Sequence, residues 1–138
     1  MDEERVTADQ LAATWDSIRG QFFRGWNSDS WSCELSDLAQ GKRLVCRVPE
    51  KQVYILPSLS PKELDRVIVH ALCHARRGSG HEPFWSRRMA VIEQDALRRG
   101  LDDLAKGIRE EIDGCEGTPD ETEGLIFDWP LFPPRRPT

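Results

Sequence analysis

An α+β fold is what this sequence predicts, on three observations. An amphipathic helical pattern opens the chain, two strand-like runs flank a Pro-Glu-Lys turn, and two further helical stripes follow. Strands cluster in one part of the chain and helices in the others, so a small sheet with helices packed on it is expected. The 138 residues suit one domain with a modest single core.

Residues 7 to about 24 read as the first helix. Thr7-x-x-Gln10 has the form of a capping box, and Leu11, Trp15, Ile18 and Phe22 recur at helical spacing as core residues. Residues 25–30 form a turn-rich break, and 31–35 a short strand. Residues 43–48 and 52–56 are better strands, rich in β-branched and apolar side chains. Pro49-Glu50-Lys51 makes a hairpin turn between them, and Pro57 ends the second.

Ser60-Pro61-Lys62-Glu63 is a strong helix start: a serine cap, proline at the first helical position and an acid three residues on. The helix runs through Leu64, Val67, Ile68 and Leu72 to His74 and ends near Gly78. Glu82-Pro83 restarts a helix. Phe84, Met89, Ile92, Leu97, Leu101 and Leu104 then form a long apolar stripe toward Asp113, with bends at Gly100 and Gly107. These elements make one domain over residues 1–113. Residues 114–138 are acidic, then proline-rich, and read as a disordered or docking tail. Phe127, Trp129 and Phe132 in that tail are expected to pack on the domain or bind a partner.

Composition excludes several classes. Net charge is −5, which argues against a general nucleic-acid binder. The charge is uneven: six arginines face three acids between His70 and Gly100, whereas seven acids face two arginines from Glu111 onward. No apolar run is long enough to span a bilayer, and the charged start Met1-Asp-Glu-Glu-Arg5 leads into no apolar signal core. A cytoplasmic location is the expectation. Four separated cysteines without a C-x-x-C pair argue against a zinc ribbon. Cys33, Cys46 and Cys73 read as small buried hydrophobes, reduced in the cytosol.

All three histidines fall within twelve residues: His70, His74 and His81. Spacing of four puts His70 and His74 on one helical face. Gly78-Ser79-Gly80 lets the chain turn so that His81 can reach them. Three imidazoles and one open position suit a catalytic zinc, one per chain, whose bound water falls to a pKa of about 7. The glutamate expected after the first histidine of H-E-x-x-H is missing; Ala71 stands there. Such a glutamate passes a proton from water to the leaving amine, an acid/base effect of ~10²–10⁴-fold. Alanine has no titratable group. Glu82 is a weaker substitute, because it follows a ligand in a different local geometry.

The segment Val67-Ile-Val-His-Ala-Leu-Cys-His74, followed by Gly80-His81-Glu-Pro-Phe-Trp85 and Met89, resembles the SprT-like branch of the zincin metallopeptidases. The resemblance covers roughly residues 7–105. It implies a zincin-like minimal metallopeptidase domain: an N-terminal helix, a small β-sheet, an active-site helix and a C-terminal supporting helix. It implies that His70, His74 and His81 ligate zinc and that Ala71 occupies the catalytic glutamate position, so the chain as written is inactive. An engineered Glu→Ala change is the favoured origin of Ala71. The chain lacks the cysteine-rich ribbon and basic tail of several members, which puts DNA-dependent proteolysis in doubt.

The implied activity is peptide-bond hydrolysis by a small endopeptidase, with a protein or peptide as substrate and partner. Substrate is expected to lie extended along an edge strand, 52–56 or 43–48, by strand addition. Tyr54 is a candidate oxyanion group, against its simpler role as a packed strand residue. Arg76 and Arg77 read first as a solvated helix end. The alternative function is a pseudoprotease that keeps zinc and captures a partner without cleaving it. A third expectation is autoinhibition, with the tail from Gly114 covering the groove and Cys115 or an acid on the metal.

Overall fold

The computed structural model describes residues 5–24, 30–37, 43–47, 50–77, 83–115 and 122–123. It is an α+β fold. Helix α1 spans Ala8–Phe22, strands β1, β2 and β3 span Ser32–Leu35, Leu44–Arg47 and Gln52–Ile55, and a 3-10 turn at Pro61–Glu63 leads into α2, Leu64–Arg77. Helices α3 and α4 follow at Pro83–Arg98 and Asp102–Cys115, and a two-residue strand, β4, lies at Thr122–Glu123.

Local sequence explains the starts. The Thr7 side chain accepts from the Gln10 amide at 3.1 Å, and Gln10 Oε1 accepts from the Thr7 amide at 2.9 Å, which completes the capping box. Ser60 caps the 3-10 turn rather than α2 itself, its hydroxyl accepting from the Lys62 amide. Leu11, Trp15 and Ile18 are buried. Phe22 lies half-buried under the Arg99 guanidinium, 5.2 Å from its ring centre, while Phe23 takes the core position.

The sheet order is β1-β3-β2-β4. Strand β3 pairs in parallel with β1 and antiparallel with β2. It is therefore internal, and the 52–56 strand has no free edge to offer a substrate. Cys46, Val53 and Ile55 face the helical layer, and Cys46 donates its thiol to the Ala71 carbonyl at 3.4 Å. Strand alternation turns Tyr54 to the opposite face, away from α2, where the Arg47 guanidinium lies 5.8 Å from its ring centre. The packed-strand reading of Tyr54 is the one this placement supports.

Helix α2 is the centre of the molecule. Val67 through His74 are all without exposed surface, because α1, α3, α4 and β2 surround it. Each large apolar side chain so buried contributes roughly 1.5–3 kcal/mol. The single supporting helix expected after Pro83 is two helices. Gly100, at φ +79°, ends α3; the Gly100 amide donates to Leu97 O and the Leu101 amide to Ala96 O, the paired bonds of a Schellman cap. Leu97 lies outside the apolar face and is 46% exposed, while Trp85, Met89, Ile92 and Ala96 point inward. Gly107 is no bend. It sits within α4, where a Cβ would stand 2.8 Å from Arg66 Nε. Among the described residues no helix is long and apolar enough to cross a membrane.

Candidate metal centre

Helix α2 brings His70 and His74 together in a fully buried position. Their Nε2 atoms are 3.1 Å apart, and the rings are inclined at 48°. Two nitrogens sharing one zinc at about 2.0–2.1 Å each stand about 3.3–3.4 Å apart at the tetrahedral angle. The pair falls short of that spacing by about 0.2–0.3 Å.

Glu111 on α4 aims the first ring. Its Oε1 lies 2.7 Å from His70 Nδ1, and the side chain is only 4% exposed. An ionised carboxylate can only accept, so Nδ1 carries the proton and donates it. This leaves the His70 Nε2 lone pair directed at His74. Arg43, immediately before β2, clamps the same carboxylate at 2.6 Å to Oε2 and 2.8 Å to Oε1. It also stands 3.7 Å from Glu63, the last residue of the 3-10 turn before α2. Burial alone would raise the Glu111 pKa; hydrogen bonds from His70 and Arg43 outweigh it and hold the carboxyl down to about 2. The carboxylate is therefore charged at neutral pH.

Given that tautomer, the 3.1 Å contact is a hydrogen bond when His74 Nε2 holds its proton. When a cation replaces the proton, the same two atoms are a paired donor set. Trp85 walls the pair. It stacks on His74 with ring centres 5.5 Å apart and planes 19° apart, and its Nε1–H donates to the His70 carbonyl at 3.3 Å. Near-tetrahedral spacing, tautomer and an anchored carboxylate together fit zinc.

Ala71 is fully buried beside His70, and its methyl group can neither take nor give a proton. His81 and Glu82 lie outside the described residues, as do the side chains of Arg76, Arg77 and Cys115. Among the described residues, no group of three or more His, Cys, Asp or Glu is arranged to hold a metal ion. The described part of the centre is thus two donors and the residues that orient them.

Sequence reasoning grouped Glu111 with the acidic tail and missed it. A signal was present: Glu111 falls three residues after Ile108 and seven after Leu104, on the apolar face of α4, where an acid needs a partner. Arg43 carried no comparable signal, because its partner lies 68 residues away. No family model matches the chain, and no curated protein matches it.

Proposed function

We propose that this chain is a zinc-dependent endopeptidase of SprT-like type that lacks its general base at Ala71. The carrying observation is the His70–His74 pair, with Nε2 atoms 3.1 Å apart and Glu111 fixing the tautomer of the first. The order of helix, small sheet, central histidine helix and supporting helices agrees with that reading. His81 is proposed as the third ligand. Zinc, when bound, lowers the pKa of its water and polarises a peptide carbonyl. The chain's own residues do the rest. His70 and His74 bind through Nε2, Glu111 holds the His70 proton on Nδ1, and Arg43 keeps Glu111 ionised. Trp85 excludes water from the back of the pair. At position 71 nothing can carry a proton from water to the leaving amine, so hydrolysis is expected to be negligible.

One observation favours a second reading. Ala71 has no exposed surface and the Cys46 thiol rests against its carbonyl, so packing closes around the alanine. A pseudoprotease that holds zinc and captures an extended partner suits that arrangement.

Elemental analysis of chain purified without added metal tests the metal centre. About one zinc per chain is expected. No metal, with none taken up on titration, sinks both readings. A peptidase assay on Ala71→Glu then separates them. The restored base is expected to raise hydrolysis by ~10²–10⁴-fold, whereas zinc retained without hydrolysis assigns the pseudoprotease.

A further inference from the structure

Between α4 and the start of α2 lies a cleft of about 580 Å³. Ligand pockets commonly have volumes of roughly 300–1,000 Å³. Lys62, Asp65 and Arg66 line one wall, and Asp103, Lys106 and Glu110 the other. Three charges of each sign thus border one cavity. Gly107 lets Arg66 lie across α4, since a Cβ there would stand 2.8 Å from Arg66 Nε. Arg66 so placed reaches Glu110 at 2.7 Å, and these two charges satisfy each other.

The other four have no such match. Among the described residues, Lys62, Asp65, Asp103 and Lys106 enter no salt bridge. Asp65 is half-buried and accepts from the Arg66 amide at 2.7 Å. Burial raises its pKa and the Asp103 charge adds to the rise, although the amide and charge of Arg66 oppose it. Two carboxylates on one cavity repel, and a cation between them relieves both. The ammonium groups of Lys62 and Lys106 make the mirror demand for an anion.

This pattern narrows the ligand. An anion alone meets the two lysines but also the two aspartates. A metal ion meets two carboxylates beside two ammonium groups, and no third acidic, histidine or cysteine ligand joins them among the described residues. A large apolar molecule finds walls made mostly of charge. One small molecule that carries both an ammonium and a carboxylate meets all four groups.

We propose that the cleft between α2 and α4 binds a small amino acid zwitterion. Its ammonium lies between Asp65 and Asp103, and its carboxylate is held by Lys62 and Lys106. Charge-assisted hydrogen bonds supply the attraction. Lys62, Asp103 and Lys106 are exposed, so water and salt screen each contact. A Kd on the order of 1 mM is expected. None of the four residues is a proposed zinc ligand or touches one, so this site stands whether or not the zinc reading does.

The test titrates glycine and 4-aminobutyrate, which differ in charge separation, into the full ¹⁵N-labelled chain at low salt. Amide shifts are read by NMR. At least one probe is expected to give saturable shifts centred on residues 62–66 and 103–110. Acetate and methylammonium each offer half of the ligand and are expected to bind about tenfold more weakly, or less. Asp65→Asn is expected to weaken the better probe about tenfold, because that carboxylate is half-buried. Lys106→Gln, at an exposed position that leaves the fold intact, is expected to weaken it about threefold. No saturable shift with either zwitterion would overturn the proposal. So would shifts centred on other elements, acetate or methylammonium binding as well as the whole molecule, or unchanged affinity in both variants.

Discussion

Glu111 carries the most consequence of any single residue. Its carboxylate decides which nitrogen of His70 carries the proton, and Arg43 holds the carboxylate charged. Removing such a partner behind a ligand typically costs 10–100-fold in metal affinity, roughly the loss expected for Glu111→Gln. Competition with a chromophoric chelator measures it, and unaltered affinity would mean that packing alone orients His70. Cys33 offers a simpler test. Burial, with the Glu34 charge adding to it, pushes its thiol well above the ordinary range. Because the thiolate is the reactive form, iodoacetamide is expected to spare Cys33 in the folded chain and modify it after denaturation, as read by peptide mass mapping.

Among the elements, two glycines test how the second half of the chain is built. Gly100 closes α3 at φ +79°. Gly100→Ala forces a Cβ into the left-handed region, and about 1–2 kcal/mol of stability is expected to be lost. At Gly107 the backbone conformation is ordinary and the cost is contact. A Cβ meets Arg66 Nε at 2.8 Å and Arg66 Cβ at 3.3 Å, beside the Arg66–Glu110 pair at 2.7 Å. Gly107→Ala is expected to displace the Arg66 side chain, offset in part by better helix propensity, and so to change stability less than Gly100→Ala does. Denaturant melts of both variants order the two. The sequence pattern treated these glycines alike, since both interrupt one apolar stripe. Only backbone angle and neighbour distance distinguish a helix end from a close approach.

Across the whole molecule, the Arg43–Glu111–His70 chain ties the start of β2 to α4 and α2 through groups distant in sequence. This coupling has a pH signature. Glu111 ionises at about 2 in the folded chain against an ordinary 4.5. A depressed carboxyl contributes stability that is fully present above its unfolded pKa and is lost as pH falls through the folded one. Between pH 4.5 and about 2, a loss on the order of 3 kcal/mol is expected from this group. Urea melts over that window should show a shallower decline for Glu111→Gln than for the parent. Parallel declines would place the acid sensitivity elsewhere.

The sequence by itself determined the α+β class, the capped start of α1, the strands 32–35, 44–47 and 52–55 to within a residue or two, and the placing of His70 and His74 on one turn. These are local properties, set by periodicity, capping chemistry and turn residues. Tertiary structure decided the rest. It made β3 internal and left β2 as the edge, seated β4 on that edge, and turned Tyr54 away from α2. It also drew Arg43 onto Glu111, 68 residues away, and Glu111 onto Nδ1 of His70. None of these follows from a window of sequence. Which strands neighbour one another, and which buried charges meet, is fixed by how the elements pack, and a buried acid finds its partner only once that packing is complete.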